Sequence, residues 1–268
     1  MPLPNRLDLR ERLGLADDEL AHWDHVSRRM FVPFHDGVIS QFDGYGQLAE
    51  LDWANYRHRY DNTQRLDRIL EAEHDDVNRY KASKQADALM LLYLLSSDEL
   101  RELLDRLDYH FGSDQIPKMV DYYMARTSHG STLSGVVHTW VLARANRHRA
   151  LEFFQQVLKS DVADIQDATA SEGIHLAAMA GSVDLVQRCF TGLEIRGDRI
   201  VLSPHGPEEL GALGFPIHYR GHHLHVRISG KGAEVSVDPR DMPPVVIECR
   251  GRVEQLEPGR TIRFPAST

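Results

Sequence analysis

Residues 122–134 of this chain, Tyr-Tyr-Met-Ala-Arg-Thr-Ser-His-Gly-Ser-Thr-Leu-Ser, place an arginine, a histidine, a glycine and several small hydroxyl residues directly ahead of an apolar run with helical spacing. Such a junction suits an anion. The first turn of a helix leaves its amide donors unpaired and carries partial positive charge, and neighbouring hydroxyls add further donors. Phosphate is the natural guest. The same residues also read as an ordinary helix start, with Ser131 or Thr132 capping the amides that follow and Arg126 on the surface. Three further places hold groups able to do chemistry. Glu172 and His175 are three apart and share a helical face, where His175 either donates to an anion or packs in a core. Lys84 and Gln85, with Asp87, open an apolar helix and suit either sugar hydroxyls or a salt-linked helix end. Residues 161–167, with Asp161, Asp164, Gln166 and Asp167, read as a solvated acidic loop.

The elements that must position these groups are mostly helical. Residues 6–30 predict a loop and one amphipathic helix with an acidic first turn at Asp17, Asp18 and Glu19. Residues 31–60 are rich in aromatic residues and broken by Pro33, Gly37, Gly44 and Gly46, which predicts a long structured loop that lines a site or packs over helix ends. Apolar periodicity then predicts successive helices. One follows Lys84, nearly apolar all round, and the next is capped by Ser96 or Ser97. Another has Pro117 in its first turn, and three more span residues 133–143, 150–158 and 172–190, with Gly181 inside the last or breaking it. Short links between helices with broad apolar faces predict a layered or toroidal all-helical domain.

Near Gly192 the period changes to two. Residues 199–202, 215–217, 223–228, 233–237, 245–249 and 251–256 predict six strands separated by glycine and proline turns. The fold class is therefore α+β. A toroid-like helical domain, residues 1–192, is followed by a small antiparallel β-sandwich, residues 193–268, because such short strands need a second apolar layer.

Composition narrows the function classes. The chain has 268 residues, 42% hydrophobic and 26% charged, with a formal net charge of -9. That charge opposes nucleic acid, and the runs nearest to a basic patch, residues 126–129 and 218–223, owe much of their basic character to histidine. The longest apolar stretch, residues 86–95, contains Asp87 and is too short to span a bilayer. Residues 1–8 lack a secretion signal's basic-then-apolar order. Cys189 and Cys249 have no CxxC spacing, so neither a disulfide framework nor a cysteine-based metal site is expected. A cytoplasmic location follows as the expectation.

Taken together, residues 79–87, 122–134 and 172–181 resemble the carboxy-terminal half of the disaccharide phosphorylases acting on maltose, trehalose or kojibiose, in glycoside hydrolase family 65. Residues 64–68 and 184–188 extend the resemblance, which runs from about residue 20 to 262. It implies a partial (α/α)6 barrel followed by the sandwich. It also implies that Lys84 and Gln85 fall at a glucosyl pocket, that Ser128, Gly130, Ser131 and His175 fall at a phosphate pocket, and that Arg126 and His129 support the latter. No cofactor or metal is implied; inorganic phosphate is the co-substrate and a disaccharide the partner.

The resemblance implies inversion. Phosphate attacks the anomeric carbon while a glutamic acid protonates the leaving oxygen. In the family that acid lies in an Asp-Glu-Tyr segment upstream of these motifs, and no such segment occurs among these 268 residues. The general acid is therefore expected upstream of Met1, and no catalytic residue is expected within the chain. The chain also carries Asp167-Ala168 where the family has a glycine pair, which adds charge beside the inferred anion pocket. By itself it is expected to be poorly active or inactive, and to self-associate or need a complementing N-terminal half. Hydrolysis on the same scaffold and a non-catalytic sugar-binding or scaffold role are the alternatives.

Overall fold

The computed structural model describes residues 7–143, 146–163, 173–206 and 208–266. Two short helices lead, α1 (Leu7–Leu13) and α2 (Asp17–Ser27), where one was expected. Gly14, at φ +64°, separates them. No residue of α2 is buried, so its acidic first turn heads a helix lying on the surface.

The glycine-broken segment has more regular structure than its composition suggested. Strands β1 (Phe34–His35) and β2 (Val38–Ile39) form a hairpin, and α3 (Trp53–Arg59) follows with its N-terminus capped by the Asp52 carboxylate. Its aromatic residues do pack over a helix. Tyr45 is buried among His35, Phe42 and Tyr123, and the Tyr123 hydroxyl donates 2.5 Å to the Ile39 carbonyl.

The helical body continues with α4 (Leu66–Ala72), α5 (Asp87–Leu94), α6 (Ser97–Arg106), α7 (Gln115–Ala125), α8 (Thr132–Ala143), α9 (Arg147–Lys159) and α10 (Leu176–Asp184). Ser96 starts α6 with a reciprocal capping box to Glu99, in which hydroxyl and carboxylate each satisfy an orphan amide. Helix α8 is the hub, packed against α5, α9 and α10. Gly181 lies within α10 where a Cβ would meet Val136 of α8 at 2.8 Å, so it continues the helix to allow a close crossing. A π-helical turn, Leu185–Cys189, ends this run.

The sandwich contains all six expected strands: β4 (Arg199–Leu202), β5 (Ala212–Tyr219), β6 (His222–Ser229), β7 (Gly232–Val237), β8 (Val245–Cys249) and β9 (Arg252–Leu256). It adds two edge strands, β3 (Glu194–Arg196) and β10 (Thr261–Phe264). The sheets run in the order β10-β7-β6-β5 and β3-β4-β8-β9. All pairs are antiparallel except β4 with β8, which run parallel with Ile200 opposite Ile247. Alternating burial along β6 and β7 places Leu224, Val226, Ile228, Ala233, Val235 and Val237 in one core with Ile200, Ile247 and Leu256.

Candidate functional site

Two loops are joined edge to edge. Ser83 N–H donates to the Arg126 carbonyl at 2.9 Å and Ser128 N–H to the Ser83 carbonyl at 2.8 Å, a parallel bridge centred on Ser83 and Thr127. This bridge brings the Lys84-Gln85 segment against the hydroxyl-rich segment, distant from it along the chain. The Ser131 hydroxyl donates 2.8 Å to Gln85 Oε1, and Gln85 Nε2 donates 2.9 Å to Asp87. Ser131 therefore spends its hydroxyl on the neighbouring loop.

A third segment closes the cluster from the other side. The buried Ser128 hydroxyl faces the carbonyls of Gln64 and Ser83, both at 3.4 Å. Gly130 is buried where a Cβ would come within 2.3 Å of the Gln64 carbonyl oxygen and 2.9 Å of Lys84 Cγ, so only glycine fits without a shift. Lys84 itself is exposed. The Arg65 hydrogen bond, helped by the charge of Lys84, holds the Asp67 carboxyl below its usual range. Lys84, Ser128, Gly130 and Ser131 thus meet on residues 64–67, with Gln85 joined to them through Ser131.

Arg126 and His129 are placed behind this cluster. The Arg126 guanidinium lies 3.8 Å over the Tyr122 ring and makes two 3.0 Å bonds to the Glu50 carboxylate. Lys81 reaches the same carboxylate at 3.4 Å. Burial alone would raise Glu50, but the bonds and charge of Arg126 and Lys81 hold it below the usual carboxylate range. Arg126 is therefore a strut between the loop and residue 50. His129 adopts φ +58° and bonds Ser134 Oγ at 2.9 Å. Its ring meets His138 at 4.5 Å and Phe153 at 5.2 Å. Burial, reinforced by the His138 ring, pushes His129 down to about 3, so it is neutral at pH 7.

His175 is the N-cap of α10, and among the described residues its hydrogen bonds run to Asp161 rather than to the serines. Asp161 accepts from its backbone N–H at 3.1 Å and pairs with Nδ1 at 2.6 Å. That arrangement orients the ring and leaves Nε2 as the atom able to meet a ligand. Asp161 follows Ser160, which lines a cavity of about 20 Å³ together with Gln64, His129, Ser131 and Gln156. The cavity holds about one water, less than a phosphate needs.

Some expectations fall outside the described residues, which begin at Leu7. Glu172 and residues 164–168 are among them. So is Met1, ahead of which the general acid was expected. No group of three or more His, Cys, Asp or Glu suited to a metal occurs among the described residues.

Sequence reasoning missed several partners of this site. Asp161 read as a solvated acid, whereas it holds His175. Glu50 carried no motif, and Gln64 lay in a segment that extended the resemblance without being singled out for the site; Gln64 Oε1 is buried without a partner among the described residues. Gln41 caps α5 through Oε1 to Ala88 N–H at 2.9 Å and donates to Ser83 Oγ at 3.0 Å. None of these has a local signal, because each partner lies in a distant segment.

Residues 3–184 match the glycosyl hydrolase family 65 central catalytic domain and residues 193–256 its C-terminal domain. An uncharacterized glycosyl hydrolase of Mycobacterium tuberculosis is 65% identical over 267 residues, which is 100% of this chain and 20% of that protein. The trehalose 6-phosphate phosphorylase of Lactococcus lactis is 33% identical over 205 residues, 76% of this chain and 27% of that one. A candidate kojibiose phosphorylase from the human microbiome shares the fold, with a TM-score of 0.73 at 21% identity over 96% of this chain and 34% of its own. The chain thus spans about a fifth of the length of the mycobacterial relative. With both domain models matched in order, the chain belongs to glycosyl hydrolase family 65.

Proposed function

We propose that this chain supplies the phosphate-holding and glucose-holding part of an inverting disaccharide phosphorylase. In the reaction, a phosphate oxygen attacks the anomeric carbon of an α-linked glucosyl disaccharide and the C1–O bond breaks. The leaving oxygen takes a proton from a carboxylic acid, giving β-glucose 1-phosphate and a free sugar. Lys84 and Gln85 hold the glucosyl hydroxyls. Gly130 and Ser131 offer backbone amides and Ser128 its hydroxyl to phosphate, and His175 donates from Nε2. Arg126 and His129 keep the loop in shape.

The observation that carries this reading is the Ser83–Thr127 bridge, which sets the Lys84-Gln85 loop beside the Ser128–Ser131 loop with Ser131 bonded to Gln85. The relatives support it by name, since they include phosphorylases of trehalose 6-phosphate, trehalose and kojibiose. In this reading the acid is a glutamate from outside these 268 residues, which contain no Asp-Glu-Tyr segment. Both cysteines are buried thiols, which agrees with work in a reducing cytoplasm.

The test is direct. The purified chain is expected to bind inorganic phosphate, followed by phosphorus NMR line broadening, and to turn over trehalose, maltose, kojibiose or trehalose 6-phosphate at less than about a thousandth of the rate of a full-length relative. Absent phosphate binding would end the proposal. Turnover near that of a complete enzyme would overturn the need for an outside acid, and phosphate-independent glucose release would replace phosphorolysis with hydrolysis.

A further inference from the structure

A second cavity, of about 940 Å³, lies between the helical body and the sandwich and shares no lining residue with the loop cluster. Its size is at the upper end of the range for small-molecule sites and leaves room for several linked sugar rings. We propose that this cleft binds a neutral oligosaccharide.

Its floor is prebuilt. The Tyr93 and Trp140 rings meet edge to face at 5.1 Å, and the Arg188 guanidinium lies 5.0 Å from the Trp140 ring centre and 5.9 Å from that of Tyr93. Asp184 fixes both ends of this stack, accepting from the Tyr93 hydroxyl at 2.7 Å and pairing with Arg188 at 3.3 Å. Gln187 and Arg188 are presented by the π-helical turn, a distortion that costs regular hydrogen bonding and recurs at binding sites. Aromatic rings flanked by an amide and charged groups match the two surfaces of a sugar, its C–H face and its hydroxyl rim.

Charge selects among ligands. Asp98, Glu99, Glu102 and Glu194 stand around the cleft against two arginines, Arg188 and Arg196. Both arginines are already paired, Arg188 with Asp184 and Arg196 with Glu194 at 2.7 Å, and Asp98 is paired with Arg101, which leaves Glu99 and Glu102 outside these ion pairs. The excess of carboxylate repels phosphates and other anions but accepts hydrogen bonds from neutral hydroxyls. In the opposite wall, Tyr219 is 7% exposed and its hydroxyl has no partner among the described residues. That oxygen is itself enclosed in the wall.

Titration of the full 268-residue chain with maltotetraose, read by tryptophan fluorescence and calorimetry, tests this. Saturable binding is expected, about tenfold or more weaker in the double variant Gln187→Ala, Arg188→Ala and within about twofold of the parent in Lys84→Ala. Because a neutral ligand displaces no counterions, the affinity is expected to hold constant on adding salt. Should the double variant fail to fold, slowed amide exchange at residues 92–99 and 193–197 in the parent chain on adding maltotetraose is the equivalent result. No binding to the parent, binding lost in Lys84→Ala but kept in the double variant, or binding of a lysine-rich peptide instead of the sugar would each overturn the proposal. Phosphate binding is read separately, so failure here leaves the phosphorylase reading standing, and the reverse.

Discussion

The sandwich and the helical body solve the same burial problem in different ways. In the sandwich, core positions follow from alternation along each strand, and the buried side chains form one continuous cluster from Ile200 to Phe264. In the helical body the buried residues among those described divide into three clusters, around Leu89, Phe154 and Leu70, while several apolar helix residues face outward. The loops bearing the candidate chemistry are stitched across these clusters by hydrogen bonds and ion pairs. A region that closes on itself gains stability from area removed from water, whereas a site-bearing region depends on particular long-range contacts.

The largest expected effect breaks the self-contained side. Leu224 is fully buried at the centre of the sandwich, so Leu224→Ala is expected to cost about 2–5 kcal/mol. Urea unfolding followed by far-ultraviolet circular dichroism measures it. Phosphate binding measured below the transition should survive in the residual folded fraction. Gly130→Ala acts on the other side and is expected to cost about 1–3 kcal/mol, since its methyl group meets a backbone carbonyl that cannot swing away. Here phosphate affinity should fall by about tenfold or more, because the Gln64 and Lys84 segments must part. If Gly130→Ala left phosphate binding intact, the loop would not be the anion site.

This contrast also governs what could be read from residues alone. Alternation marks β4 to β9 because inward and outward side chains succeed one another along the strand, a purely local pattern. The edge strands β3 and β10 escaped because they are three and four residues long and mostly exposed. The parallel pairing of β4 with β8 escaped because strand order is not written in any one strand. In the helical body, Ser96 and Glu99 were legible as a cap, being three apart. The Glu50–Arg126 strut, 76 residues apart, and the Asp161–His175 pair, 14 apart, were not. The candidate residues could be named individually, but the bridge that brings them together depends on tertiary folding.

Acid sharpens the comparison without mutation. His129, held near 3, and His138, also pushed down by burial, are neutral in the folded helical body. Their unfolded values are about 6.5. The unfolded chain therefore binds more protons between those limits, and stability falls as pH drops below about 6.5. Above that value the full contribution of the neutral rings is present. Each histidine contributes a slope of up to about 1.4 kcal/mol per pH unit. Thermal melts from pH 7 to pH 5 are expected to show the helical transition moving down more steeply than that of the sandwich. His129→Asn, which tolerates the positive φ, is expected to flatten the dependence by about half. An unchanged slope in that variant would remove His129 as the cause.

The smallest expected effect concerns the outward apolar side chains of α10. Leu176 and Val183 share one helical face at 75% and 64% exposed, with Ile174 beside them at 70%. Exposed apolar residues contribute little to the folding of the chain that carries them, and contiguous ones promote association. The double variant Leu176→Ser, Val183→Ser is accordingly expected to change unfolding free energy by no more than about 1 kcal/mol, while lowering the apparent mass seen by light scattering at high concentration. An equivalent pair of serines in the sandwich core would unfold it. If instead the α10 variant lost several kcal/mol with no change in association, this face would be packed within the chain's own fold, and the distinction between a self-covered sandwich and a helical body with an open face would collapse.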